Sequence, residues 1–306
     1  MKKKLENTFS WSVSRDSVFR ECPRKYYFNY YGHWGGWQSD ADRRTRQIYV
    51  LKQLKNRATW IGQVVHACIA RSLHNVSRGV PLLAVDEIRS ITLSGMRRDF
   101  RDSTDGRYWQ KPRVYHGFFE HEYDVEVSKE EWKEAADTID HCLKTFYESE
   151  TFEALRTLDS KDYLEVEEFS STGLDGVEIS NKLDCATRER DLAIVWDWKT
   201  GRREADTGLS LQMACYAYYA KQAFRVDLAH VETRRFDLYR NKLHKDSIRE
   251  NAMQEMLDYV RGSMKDMLGL LDDPDRNVAR EERFQKVERS AVCLKCNFLK
   301  VCMPSL

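Results

Sequence analysis

The chain has 306 residues, enough for one large domain with a sizeable core or for two smaller ones. With 42% hydrophobic and 32% charged residues it has the composition of a globular protein. No apolar run reaches membrane-spanning length, and no apolar segment follows Met1–Asn7, so neither a spanning helix nor a secretory signal is read. The formal net charge of +1 hides an asymmetry: residues 1–57 hold thirteen Lys/Arg against five Asp/Glu, and residues 120–170 hold five against seventeen. This is the pattern of a basic surface for a polyanion on an otherwise acidic body, or simply of solvated faces. A cytoplasmic location is expected, where eight cysteines serve more often as metal ligands or core thiols than in disulfides.

In chain order, Ser14 reads as the N-cap of a short helix that ends near Cys22-Pro23. The basic-aromatic run from Arg24 to Tyr31 follows. Arg24 and Lys25 are candidate phosphate contacts; the aromatic rings can stack on bases or be half-buried packing residues. Helices are predicted over Asp40–Asn56 and about Thr59–Val76. In the second, Gly62, His66, Ile69 and Leu73 share one face, with Gly62 admitting a close neighbour and His66 directed inward as a packed side chain or a ligand.

A third helix is predicted over 81–102, opened by Pro81, then a turn at Ser103–Gly106. Ser128 and Glu131 form a capping box for a helix reaching about Ser149, with Trp132, Ala136, Ile139, Leu143 and Phe146 as its buried stripe. Residues 77–160 therefore read as a helical insertion, and 163–271 as the strand-containing part. A strand begins near Tyr163 and carries Glu165, Glu167 and Glu168. A helix covers about Ser210–Gln222, placing Gln212 and Tyr216 at i, i+4. A strand over Leu228–Phe236 and a helix over Asp246–Leu271 complete the core.

The most informative stretch is Asn181–Gly201. It reads as two strands, the first ending near Asp184, a polar turn at Thr187–Asp191, and the buried strand Leu192–Trp196. The apolar run then meets Asp197-Trp198-Lys199. Alternation puts Asp197 and Lys199 on one face, with Asp184 opposite from the neighbouring strand. Two carboxylates offer hard oxygen ligands to Mg²⁺ or Mn²⁺, and a lysine beside them can neutralise charge on a phosphoryl group; a surface ion pair at a strand end gives the same short pattern.

The tail, 290–306, is the second such stretch. Cys293 and Cys296 are separated by two residues and Cys302 lies close behind. A zinc or iron–sulfur site takes four ligands, and Cys22, in a polar Glu-Cys-Pro-Arg setting, is the best fourth candidate. Cys68, Cys142, Cys185 and Cys215 read as core thiols.

Five features in this order resemble the PD-(D/E)XK nucleases of the RecB-like branch. Within it they resemble the iron–sulfur members, the AddB nuclease domain and the RecB-like exonucleases of CRISPR adaptation. They are Cys22-Pro23-Arg24-Lys25-Tyr26-Tyr27; Gly62-Gln63-Val64-Val65-His66; Asp184 with Asp197-Trp198-Lys199-Thr200-Gly201; Gln212-Met213-Ala214-Cys215-Tyr216; and the Cys293, Cys296, Cys302 tail.

The resemblance implies an α/β fold, a restriction-endonuclease-like core of a central mixed sheet flanked by helices, with a helical insertion and an iron–sulfur-stapled C-terminus. It implies that His66, Asp184, Asp197 and the Trp198 carbonyl hold Mg²⁺ or Mn²⁺, and that Lys199 orients water and stabilises charge. Gln212 and Tyr216 would position substrate and side chains, and Cys22, Cys293, Cys296 and Cys302 would hold a 4Fe–4S cluster. One of Glu165, Glu167 and Glu168 would fill the family's glutamate position, and Asn181 stands where the family usually has Gly.

The expected activity is DNA phosphodiester hydrolysis on single strands or ends, in repair, recombination or phage defence. With no Gly-x-x-x-x-Gly-Lys-Ser/Thr motif, a partner helicase or defence protein would supply any unwinding. The rivals are a non-catalytic nucleic-acid-binding or assembly subunit and, for the cysteines, a zinc site.

Overall fold

The computed structural model describes residues 6–202, 210–288 and 291–303, so the Lys2–Lys4 run and parts of the 290–306 tail lie outside the described residues. Among the described residues, eight strands form two sheets. They are β1 (Ser10–Trp11), β2 (Tyr163–Val166), β3 (Phe169–Leu174), β4 (Val177–Lys182), β5 (Cys185–Glu189), β6 (Leu192–Lys199), β7 (Val231–Asp237) and β8 (Lys242–Ser247). The larger sheet has the order β2-β5-β6-β7-β8 and the smaller β1-β4-β3. β6 pairs antiparallel with β5 and parallel with β7, and the helix Leu211–Ala223 lies in the crossover that a parallel pair demands.

The central strand β6 is buried on both faces, as its unbroken apolar run requires. Ile194, Trp196 and Trp198 enter a core shared with the helices Arg57–Ser77 and Lys129–Tyr147. Val195 enters the opposite core, built with Leu211–Ala223 and Glu250–Leu268. A third cluster joins Phe28, Leu51 and Leu54 near the N-terminus to Phe298 and Val301 of the tail. The helices within 77–160 thus share a core with the sheet. Among the described residues, no helix is long and apolar enough to cross a membrane.

Several boundaries differ from the sequence expectation. The first helix is Val13–Glu21, capped by Ser12, whose hydroxyl accepts the Arg15 N–H; Ser14 lies inside it. The two helices expected over 40–56 and 59–76 run over Arg43–Gln53 and Arg57–Ser77, each opened by a side-chain cap, Asp42 and Asn56. Pro81–Ala84 stays outside the helix Val85–Thr104, whose first turn carries Asp86 and Glu87, favourable charges at a helix N-terminus. The Ser128–Glu131 capping box forms as expected. The strand expected from Leu228 starts at Val231 after a short 3₁₀ turn, and the last long helix begins at Glu250. Between them lies β8, Lys-Leu-His-Lys-Asp-Ser, which sequence reading missed: it is an edge strand whose charged residues hide the alternation.

The turn after β5 is also tighter than expected, with Arg190 at φ +54° and strand structure reaching Glu189. Asp184 therefore does not end a hairpin strand. It sits in the break between β4 and β5, where the chain passes from the small sheet to the large one. The break between β2 and β3, at Glu167-Glu168, makes the same passage, and the two are adjacent: the Glu167 N–H donates to the Asp184 carbonyl at 3.2 Å.

Candidate active site

Those paired breaks set two carboxylates side by side at the end of β6. Glu167 holds φ +51°, a left-handed conformation uncommon for a residue with a side chain and a form of strain that gathers at functional sites. Pairing of β5 with β6 ends at Cys185–Trp196. Beyond it, Asp184 Oδ2 takes the place of a ladder carbonyl and accepts the Trp198 N–H at 2.7 Å. Asp184 Oδ1 meets His66 Nδ1 at 2.8 Å, which fastens the Arg57–Ser77 helix to the strand end. The ligand-capable atoms of His66, Glu167 and Asp184 lie within 4.8 Å of one another. Glu167 also pairs with Lys182.

Asp197 and Lys199 share a face of β6, as strand alternation dictates. Lys199 Nζ lies 2.8 Å from Asp197 Oδ2 and 3.1 Å from Oδ1, and donates to Gln212 Oε1 at 2.9 Å. Gln212 Nε2 donates to the Tyr216 hydroxyl at 2.8 Å, and that hydroxyl donates to the Lys182 carbonyl at 2.8 Å. This chain of bonds fixes which way the Gln212 amide faces and holds the ammonium over the carboxylate. The Trp198 ring packs against Phe146 in the core shared with Arg57–Ser77 and Lys129–Tyr147, so the residue borders the cleft through its backbone. A cleft of about 650 Å³ is lined by His66, Glu167, Asp184, Asp197, Trp198, Lys199, Gln212 and Tyr216, together with Gly62 and the Thr200-Gly201 turn. A Cβ on Gly62 would meet Thr200 Oγ1 at 3.6 Å, ordinary contact, so packing does not require this glycine, contrary to expectation.

The electrostatics follow from burial and crowding. Burial acts to lower the His66 pKa, but Asp184, Glu167 and Asp197 outweigh it and push it up to about 10. Burial raises Asp197, reinforced by Asp184, while Lys199 opposes. Glu167 is held below its ordinary range: burial would raise it, but His66 and Lys182 prevail. Burial and the nearby carboxylates raise Tyr216, which stays a hydrogen-bond donor.

These residues fit a hard divalent cation. Asp197 Oδ2 is buried and receives no well-directed hydrogen bond despite its proximity to Lys199. A protein rarely leaves a carboxylate oxygen in that state without a partner for it. Carboxylate oxygens suit Mg²⁺ and Mn²⁺, and the one imidazole shifts the preference toward Mn²⁺. The structure also separates the three glutamates that sequence left undecided. Glu165 turns to Tyr219 and Ser170, at 2.6 and 2.8 Å, and Glu168 is exposed. Only Glu167 reaches the cleft. No periodicity marks it, because its position comes from a chain break. Asn181 is buried and donates to the Ile179 carbonyl on its own strand, away from the cleft lining.

Cys22, distant in sequence, borders one small cavity with the clustered Cys293, Cys296 and Cys302, together with Lys25, Phe28 and Lys286. All eight cysteines are free thiols. Burial raises Cys296 to about 11 and also raises Cys302, with Lys25 opposing at the first and Arg24 and Lys286 at the second. Arg24 is engaged within the chain, donating to Glu281 and to the Phe284 carbonyl, both at 2.7 Å, and Lys25 pairs with Glu21 at 2.5 Å. Lys25 lines the thiol cavity, and neither residue lines the cleft.

No curated protein matches the chain. A family model described as the PD-(D/E)XK nuclease superfamily matches residues 10–303, which takes in every residue of the cleft and all four clustered thiols. Nucleases of this superfamily are in general metal-dependent phosphodiester hydrolases. The match spans nearly the whole chain, and the chain belongs to the PD-(D/E)XK nuclease superfamily.

Proposed function

We propose that this chain is a metal-dependent deoxyribonuclease that cuts single strands or ends, of the RecB-like, iron–sulfur type, and that it acts in repair, recombination or phage defence. The observation that carries the reading is the meeting of His66, Glu167, Asp184, Asp197 and Lys199 at one strand end from four separate parts of the chain. A binding module has no need of an ammonium held over a buried carboxylate.

His66, Glu167, Asp184 and Asp197, with the Trp198 carbonyl, would hold the cation. When bound, the cation supplies charge neutralisation at the scissile phosphate and lowers the pKa of coordinated water. The chain's own residues do the rest. Lys199, fixed by Gln212, is placed to stabilise the charge that develops on the phosphoryl oxygens. Gln212 is in turn fixed by Tyr216, so the ammonium loses little freedom when substrate arrives. Cys22, Cys293, Cys296 and Cys302 would hold a 4Fe–4S cluster that ties the tail to the first helices.

End-labelled single- and double-stranded DNA tests the function. Cleavage is expected with Mn²⁺ or Mg²⁺, and chelation should abolish it reversibly. DNA binding without metal-stimulated cutting would instead establish a non-catalytic subunit.

The cleft also makes a pH prediction. Without metal, His66 keeps its proton below pH about 10, and a metal-ligating imidazole must be neutral. Mn²⁺ binding is therefore expected to release about one proton and to tighten by about tenfold per pH unit as pH rises through neutrality. Calorimetry in buffers of different ionisation enthalpy measures this. Binding that releases no proton would remove His66 from the ligand set.

A further inference from the structure

A second surface combines exposed aromatic rings with cations that the cleft does not use. Trp34 and Trp37 are 36% and 38% exposed, and their rings meet edge-on with centroids 5.0 Å apart. Trp109, 38% exposed, comes from a distant turn. The Arg46 guanidinium joins the two loops, donating to the Gly36 carbonyl at 3.1 Å and to the Gln110 carbonyl at 3.2 Å. The Trp109 indole N–H donates to Glu122 at 2.9 Å, which fixes the ring's orientation. The Trp-Gly-Gly-Trp turn is built for its place. Gly35 holds φ +84°, and a Cβ on Gly36 would stand 2.4 Å from Tyr49 Cβ and 2.7 Å from the Thr45 carbonyl oxygen, so only glycine fits.

Acids near these rings are already engaged: Glu122 bonds Trp109 and pairs with Lys300, and Asp102 pairs with Arg107. Residues 107–116 contain Arg107, Lys111 and Arg113 and no acid. Lys111 and Arg113 are exposed and make no ion pair among the described residues. Lys52, on the same helix as Arg46, is surrounded by Arg15, Lys55 and Arg113; burial first and then these cations lower it to about 8. Of the two acids in the adjoining loop, Asp42 is used as a helix cap.

We propose that the Trp34, Trp37 and Trp109 surface is a holding site for single-stranded nucleic acid, with bases stacked on the indoles and phosphates held by Lys111 and Arg113. Stacking on an aromatic face needs no base identity, and unpaired lysine and arginine suit a polyanion. A protein partner would also favour tryptophan and arginine, but protein interfaces are poor in lysine, and here an exposed lysine, Lys111, follows Trp109 by two residues. None of these side chains lines the catalytic cleft, so this surface would hold a strand outside the site of cutting. Only the choice of ligand rests on the nuclease reading.

The test is titration with oligothymidylate in the presence of a chelator, so that nothing is cut, read by tryptophan fluorescence and by the anisotropy of a labelled strand. The parent should show quenched emission. Trp34→Ala/Trp37→Ala should bind at least about tenfold more weakly. Lys111→Gln/Arg113→Gln should lower the slope of log affinity against log salt by about 1–1.5. Both variants should cut an oligonucleotide too short to reach from cleft to platform as fast as the parent. Unquenched emission, or unchanged affinity in the tryptophan variant together with an unchanged salt slope in the charge variant, overturns the proposal. Either result leaves the nuclease reading standing if the parent still cuts. Should the tryptophan variant misfold, the charge variant decides alone: an unchanged salt slope overturns the proposal and a lowered one supports it.

Discussion

Lys199→Ala is expected to lower the rate of DNA cleavage by about 10²–10³-fold, the usual cost of removing one fixed electrostatic stabiliser of a transition state. Two observations set that size. The ammonium is bound at 2.9 Å to Gln212 and at 2.8 Å to Asp197, so its position is fixed before substrate arrives. The site is also partly withdrawn from water, which strengthens any charge placed in it. Alanine has a second consequence in the metal-free protein: the Asp197 carboxylate, 3% exposed, loses its counter-ion. Leaving a buried charge unpaired costs several kcal/mol, so the metal-free variant should melt earlier than the parent. Saturating Mn²⁺ should recover much of that loss by supplying positive charge next to the carboxylate. The rate is therefore to be compared at saturating metal, with DNA affinity measured alongside. A variant that binds and cuts like the parent would end the catalytic assignment; one that binds like the parent and scarcely cuts would support it.

Cys293→Ser should give colourless protein with little iron and a melting temperature lower by on the order of 10 °C, the scale of losing a cross-link worth about 2–5 kcal/mol in a chain of this size. Complete unfolding is not expected, because other contacts also hold the tail. Phe298 and Val301 are buried with Phe28 and Leu51, the Asn297 amide donates to the Leu54 carbonyl at 2.9 Å, and Lys300 pairs with Glu122. Such a cluster would add closure between chain ends that already touch. Iron analysis and visible absorbance read the outcome. Unchanged iron content would remove Cys293 from the ligand set, and stoichiometric zinc with no iron would replace the cluster with a Cys₄ zinc site. Residual cutting should persist at lower temperature, since the thiol cavity and the cleft are separate.

Much of the site could be read before the structure because its residues carry local signals. The apolar strand that ends in Asp197-Trp198-Lys199 fixed a two-residue alternation, and the helical spacing of Gln212 and Tyr216 put both side chains on one face. The Ser128–Glu131 box and the central strand likewise follow from short-range rules. The close spacing of three tail cysteines pointed to a candidate metal site without any fold.

What the sequence by itself determined were features whose cause lies within a turn or a strand: periodicity, caps and ligand spacing. Tertiary structure decided the rest. Glu167 was selected over Glu165 and Glu168 because two strands break side by side as the chain changes sheets, a coincidence between segments that no local pattern encodes. Edge strand β8 escaped notice because solvent on its outer side allows charged residues there. The engagement of Arg24 and Lys25 with Glu281 and Glu21 could not be foreseen either, since Glu281 reaches Arg24 only after the chain has folded back on its own beginning. Local sequence sets what each segment can become; long-range packing sets which side chains meet.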